Sequence, residues 1–391
     1  MLNGPFSPWP SFTQEEADAV QRVLLSNKVN YWTGEEGRKF EQEFAHFTGS
    51  EYAVAVSNGT TALDLALRGL NIGEGDEVIV TSRTFLASVS SIVLAGAIPV
   101  FADVDRDTQN ISASSVKERI TARTRAIVAV HLAGWPCEMD DLMSLAEQNN
   151  LFVIEDCAQA HGAEYRGKKV GSIGHVGCWS FCQDKIMTTG GEGGMVTTSD
   201  SALWRRMWAF KDHGKSWEAV YERQHAPGFR WLHESFGTNW RLTEMQSAIG
   251  RLQLARLPQW KSERLRNAQQ IWSVAEKIPA LRVPKIPSHI EHAAYKCYVF
   301  INSKHLQEGW NRDRIIEEIV ARGVPCFSGS CSEVYLEKAF DQTDWRPKIP
   351  LVNAHELGAT SLMFMCHPTL QTIELDKTCC ALKEVMQLAS S

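Results

Sequence analysis

Several absences narrow the field before any motif is considered. The ten cysteines, at positions 137, 157, 178, 182, 297, 326, 331, 366, 379 and 380, show no paired Cys-x-x-Cys spacing, so the ligand pattern of a structural zinc site is lacking and no metal is expected. No apolar run approaches the ~18 residues that cross a bilayer. No basic stretch exceeds a few residues, and a formal net charge of −6 is spread over mixed signs, which argues against a nucleic-acid partner. Residues Met1 to Pro10 carry neither the basic start nor the apolar centre of a secretory signal. A cytoplasmic protein with reduced thiols is the expectation. What is present is apolar substance. Apolar residues make up 44% of the 391, enough for a sizeable core, and the length suits a large domain with a smaller companion.

From about Glu51 to Thr198 short apolar runs alternate with helical stretches. Tyr52–Ser57, Glu77–Thr81, Ile98–Phe101, Ala126–His131, Leu151–Glu155 and Met195–Thr198 read as strands. Thr60–Gly69, Phe85–Leu94, Asp140–Gln148 and Ala202–Phe210 read as helices. Continuously apolar strands between helices predict βαβ units and a mostly parallel sheet covered on both faces. Leu242–Leu257 has apolar residues at helical spacing, Pro258 breaks the pattern, and Gln259–Lys277 resumes it. A boundary is expected there, giving a large α/β domain with an N-terminal arm over 1–255 and a small α+β domain over 256–391. In the latter, Cys297–Ile301 is the expected strand and Asp313–Arg322 the expected helix.

Three segments carry chemistry. Ser57-Asn58-Gly59-Thr60-Thr61-Ala62-Leu63 stands where a strand meets a helix. The free amides and dipole of a helix's first turn suit a phosphate, although Asn58 or Thr60 could be a plain N-cap. Glu155-Asp156-Cys157-Ala158-Gln159-Ala160-His161 ends a buried strand with two carboxylates. Ligands of open α/β sheets sit at such ends, but a solvated strand end that caps a helix would read the same. Ser180-Phe181-Cys182-Gln183-Asp184-Lys185 runs into a turn with four glycines, Gly190, Gly191, Gly193 and Gly194. Most lysines are surface charges, and Asp184 favours that reading. The apolar, hydroxyl and glycine residues after Lys185 favour a reactive amine. Together the three supply a phosphate cradle, an acid for a pyridine nitrogen and an amine for a Schiff base.

In these segments, and in Gly75–Val78, Thr84–Ala87 and Asn239–Gly250, the sequence resembles the DegT/DnrJ/StrS sugar aminotransferases from about Trp32 onward. The resemblance implies the fold type I architecture of pyridoxal 5′-phosphate (PLP) enzymes. It implies that Lys185 forms the Schiff base and moves protons, Asp156 pairs with the pyridine nitrogen, Gln159 lies near the phenolic oxygen and Phe85 stacks on the ring. Thr60, Thr61 and Ser180 would bind the phosphate, assisted by Gly59. Asn239, in Asn239-Trp240-Arg241-Leu242, would reach the cofactor phosphate of the other subunit, which implies a homodimer with shared active sites. The implied substrates are L-glutamate and a nucleotide-linked keto-sugar, a 4-keto-6-deoxy sugar ahead of a 3-keto sugar, in deoxyamino-sugar biosynthesis such as that of lipopolysaccharide or O-antigen. A sugar dehydratase, a cyclitol or aminobenzoate aminotransferase and a non-catalytic PLP-binding regulator are the alternatives. Lys185 argues against the first, because dehydrating relatives tend to carry histidine there. Two positions depart from the family pattern: Cys182 replaces a frequent histidine, and Ser82-Arg83 replaces a frequent proline, with Arg83 expected at the surface. Sugar contacts are expected from Val29–Gly34, Trp217–Leu232 and the C-terminal domain, with Tyr31, Trp32 and His213 as candidates.

Overall fold

The computed structural model describes residues 6–390 apart from 226 and 229, so two positions of the loop 217–232 lie outside the described residues. Helices α1 (Gln14–Leu25) and α2 (Glu36–Thr48) precede the first strand. Then follow β1 (Tyr52–Val56), α3 (Gly59–Gly69), β2 (Glu77–Thr81), α4 (Ala87–Leu94), β3 (Ile98–Ala102), α5 (Ala113–Lys117), β4 (Thr124–Val130), α6 (Met139–Asn149) and β5 (Phe152–Asp156). A short hairpin, β6 (Glu164–Tyr165) and β7 (Lys168–Lys169), leads to β8 (Val176–Ser180) and β9 (Gly194–Thr198). The seven long strands form one sheet in the order β1-β9-β8-β5-β4-β2-β3. Only β9 runs against the others, pairing antiparallel with both β1 and β8. The remaining pairs are parallel. β2 and β8 are buried at every position, as expected of strands covered on two faces.

Beyond the sheet come α7 (Ser201–Lys211) and α8 (Glu244–Ala275). The rest of the chain holds β10 (Leu281–Arg282), β11 (Ile290–Glu291), β12 (Cys297–Ile301), α9 (Arg312–Ala321), β13 (Cys326–Phe327), α10 (Val352–Thr360), β14 (Ser361–Phe364) and α11 (Thr372–Ala389). β10, β12, β14 and β13 form a four-stranded antiparallel sheet, while β11 pairs back onto β6. The expected break at Pro258 is absent. One helix of 32 residues runs from Glu244 to Ala275 with Pro258 inside it. Pro258 is exposed while its neighbours Leu254 and Leu257 are buried, so packing on the inner face carries the helix across one missing amide donor. α8 contacts α1 and α2 as well as β12 and α11. It therefore ties the two sheets together.

Candidate active site

A cavity of about 650 Å³ opens at the carboxyl ends of the sheet strands. Every segment singled out for chemistry contributes to its wall, because in a parallel sheet all the loops that follow strands emerge on one edge. Gly59, Thr60, Thr61, Phe85, Asp156, Gln159, Ser180 and Lys185 all line it.

One end is built by the start of α3. Asn58 is extended, and its side chain accepts the Thr61 N–H at 2.9 Å. The cap and the phosphate cradle are thus not alternatives, since the cap fixes the turn and leaves the Gly59 and Thr60 amides without an intrahelical partner. Gly59 is required by close approach. A Cβ there would lie 2.5 Å from Ser180 Cβ and 3.1 Å from Ser180 Cα, so α3 can press against the end of β8 only without one. That contact gathers Thr60, Thr61 and Ser180 at one end.

The middle is set by two carboxylates on β5, where successive side chains leave opposite faces of the sheet. Asp156 is 6% exposed. It accepts the Ser88 hydroxyl at 2.7 Å and the Ala158 amide at 3.1 Å. Ser88 is in turn 2.8 Å from the Thr84 hydroxyl. Glu155 is fully buried and fully used. Its oxygens take the Gly171, Ile173 and Gly174 amides at 2.8, 2.8 and 2.6 Å and the His131 Nε2–H at 3.0 Å. His131 Nδ1 accepts the Cys137 amide at 2.9 Å, which fixes the neutral tautomer that donates to Glu155. His131, Glu155 and Cys157 lie close together, yet Glu155 is already saturated by these four donors, so the group is a structural knot. Gln159 Oε1 accepts the Ala133 amide at 2.9 Å, which leaves its NH2 to donate into the site. Phe85 is 71% exposed, unusual for a phenylalanine and suited to covering a flat ring.

The other end holds the lysine. Lys185 N–H donates to the Cys182 carbonyl at 3.1 Å, and its own carbonyl accepts the Trp9 indole N–H at 2.8 Å. Gly190 and Gly191, with φ of +86° and +122°, turn the following chain back at values that favour glycine. The Phe181 amide then closes the loop on the Gly193 carbonyl at 2.7 Å. The Lys185 ammonium is 4.0 Å from Asp184 Oδ1. Burial pushes the Asp184 carboxyl up, but Lys185 and the Tyr295 hydroxyl outweigh it and hold it below the usual range. Cys182, Asp184 and Glu192 complete this end. The donor set fits a phosphorylated pyridine aldehyde: amides and hydroxyls for a dianion, a buried acid and an exposed ring for the heterocycle, and one amine for the aldehyde.

Three further expectations concern residues that do not line this cavity. Asn239 is exposed and does not line this cavity. Its strand-like segment is held by a backbone bridge to Asp212, whose Oδ1 also takes Arg241 at 2.6 Å. Arg83 is not at the surface. It is fully buried, donating to Gln109 Oε1 at 3.1 Å and Ser361 Oγ at 2.9 Å, with its guanidinium 5.6 Å from the Tyr298 ring. Gln109, Ser361 and Tyr298 supply neutral acceptors and an aromatic face that make an arginine tolerable there. Among the sugar-contact candidates, Tyr31 is buried with its hydroxyl on Glu41 at 2.9 Å, Trp32 packs against the core, and His213 is exposed. None lines the cavity. Sequence reasoning missed Ser88, Trp9 and Tyr295. Ser88 stands one position past Thr84–Ala87 and could have been found; the other two lie over a hundred residues from Lys185 and give no local signal.

The chain matches the DegT/DnrJ/EryC1/StrS aminotransferase family over residues 10–383. It is 45% identical over 249 residues to a GDP-perosamine synthase of Escherichia coli O157:H7, a match spanning 63% of this chain and 64% of that protein. It is 36% identical over 368 residues to a GDP-perosamine synthase of Caulobacter vibrioides, covering 91% and 92%. An aminotransferase from Psychrobacter cryohalolentis has the same fold, with a TM-score of 0.97, 62% identity and coverage of 98% and 99%.

Proposed function

Since the chain belongs to the DegT/DnrJ/EryC1/StrS aminotransferase family, whose members depend on pyridoxal phosphate, we propose that it moves an amino group from L-glutamate to a nucleotide-linked keto-sugar. The observation that carries the reading is the convergence of Lys185, Asp156 and the Gly59–Thr61 turn on one cavity. A 4-keto-6-deoxy sugar is the favoured acceptor, as the family resemblance implies, and two relatives carry the name GDP-perosamine synthase.

Bound pyridoxal phosphate supplies a carbonyl carbon that takes up an amine and a ring that stabilises negative charge. The residues of this chain do the rest. The α3 amides with Thr60, Thr61 and Ser180 bind the phosphate. Asp156, oriented by Ser88 and the Ala158 amide, keeps the ring nitrogen protonated, and Gln159 donates to the ring's oxygen. Phe85 covers one face of the ring. Lys185 holds the cofactor at rest and carries a proton to and from the substrate carbon when freed. Asn239, idle with respect to its own cavity, serves the phosphate of a second copy, so the working unit is a homodimer. Among the described residues no helix is long and apolar enough to cross a membrane.

The test is the visible spectrum of the purified protein with PLP, before and after L-glutamate. The expected result is a band that shifts to the pyridoxamine form in the wild type and neither forms nor shifts in Lys185→Ala. A band that ignores every amino donor points to a dehydratase, and transamination at full rate by Lys185→Ala removes that residue from its role.

A further inference from the structure

The lysine end of the cavity contains a contact that covalent attachment of Lys185 does not need. Asp184 Oδ1 faces the Lys185 ammonium at 4.0 Å, and Asp184 Oδ2 accepts the hydroxyl of Tyr295. The ammonium also lies 5.3 Å from the centre of the Tyr295 ring. Tyr295 is itself a fixed point. It is 6% exposed, its amide donates to the Ala133 carbonyl at 2.9 Å, and its carbonyl accepts Arg264 at 3.3 Å. With both ends of the Lys185 backbone held by Cys182 and Trp9, the side chain is the free part of the residue, and this pair faces its tip.

Other charged and titratable groups surround this point. Lys296, on the segment before β12, has its amine 4.8 Å from the opposite partner, the Tyr295 ring. Arg264 of α8 is buried and lowered by that burial only to about 10, so it stays charged near neutrality. His161, after β5, is lowered to about 3 by burial and by the Lys185 charge and is neutral. His367 is likewise lowered to about 3 by burial, Arg264 and Lys296. Asp184, half-exposed on a wall it shares with Asp156 and Glu192, offsets the charges of Lys296 and Arg264.

Resting on the reading of Lys185 as the cofactor lysine, we propose that Asp184 and Tyr295 are a positioning pair: they hold the Lys185 amine at the cavity wall whenever it is not bonded to the cofactor. Asp184 supplies the charge and Tyr295 fixes the carboxylate's direction. The amine is then kept in one place through each half-reaction, ready to retake the cofactor.

Asp184→Asn and Tyr295→Phe test the two roles by sign. A carboxylate beside a cationic nitrogen favours its protonated form. In Asp184→Asn the pH midpoint of the visible band of lysine-bound cofactor therefore falls, by about one unit. In Tyr295→Phe the carboxylate remains and loses a donor, so the midpoint holds or rises. The second measurement uses the full chain without PLP. Acetic anhydride modifies Lys185 about tenfold faster in Asp184→Asn than in wild type at the same pH, read as peptide mass. Equal labelling of the two proteins overturns the pair, as does a Tyr295→Phe midpoint that falls as far as that of Asp184→Asn. If the wild type forms no band at all, the cofactor reading fails, and the labelling comparison alone decides the pair.

Discussion

Adjacent residues on one strand can have unrelated duties, and Glu155 and Asp156 show how the fold separates them. Both are buried acids, yet Glu155 spends its oxygens on three amides and an imidazole, while Asp156 is held by two donors at a cavity wall. Glu155→Gln turns one acceptor into an NH2 facing N–H donors. It is expected to cost about 2–4 kcal/mol of stability, measured as a fall in the urea midpoint. Asp156→Asn is expected to leave that midpoint nearly unchanged and to slow transamination far more than it weakens PLP binding. The reverse pattern would exchange their assignments. The sequence announces that two acids end a strand, but which one meets the ligand depends on strand phase, and a reading of residue types cannot fix that phase. Arg83 teaches the same lesson from the other side. Its charge suggests the surface, and only its partners Gln109 and Ser361, from distant segments, reveal a buried place.

At the scale of elements, legibility followed the strength of the local pattern. The long sheet strands and the helices between them are apolar runs bounded by turns, and each expected one is present within two residues of its expected ends. β10 and β13 are two residues long, too short for any period, and are defined only by pairing with β12 and β14. α8 is the instructive miss. Proline in a helix interior costs about 3 kcal/mol when nothing compensates, so a break at Pro258 was the local expectation. Burial of Leu254, Leu257, Ala268 and Ile271 along the same helix overrides it. Because Pro258 is exposed, Pro258→Ala restores a backbone donor without removing any packing. The variant is expected to be more stable by about 1–2 kcal/mol, the unfolded chain's gain in freedom offsetting part of the benefit. A chemical denaturation midpoint at or below that of wild type would mean that the helix is bent to suit the proline.

For the molecule as a whole, acid is the expected weakness, and three histidines set its direction. Burial lowers His161, His292 and His367 from 6.5 to about 3 each, with Lys185 adding to the effect at His161 and Arg264 and Lys296 at His367. Their folded values are depressed, so between pH 6.5 and 3 the unfolded chain binds protons that the folded chain excludes. The stability they protect is complete above pH 6.5 and is lost as the pH falls. One proton corresponds to about 1.4 kcal/mol per pH unit, so the three together give a slope of about 4 kcal/mol per unit near pH 5. Glu41 acts in the opposite sense. Burial raises its carboxyl despite the nearby Lys211, so in acid it takes up its proton more readily folded than unfolded, which opposes the histidines. The histidine share can be isolated at His292, whose Nδ1 accepts the Ala294 amide at 2.7 Å. Asn at that position keeps an acceptor for the amide and removes the imidazole. Between pH 6 and 5 the urea-derived stability of His292→Asn is expected to fall less steeply than that of wild type, by about one proton's worth. Identical slopes in the two proteins would show that His292 titrates alike folded and unfolded, and that the acid sensitivity comes from the carboxylates instead.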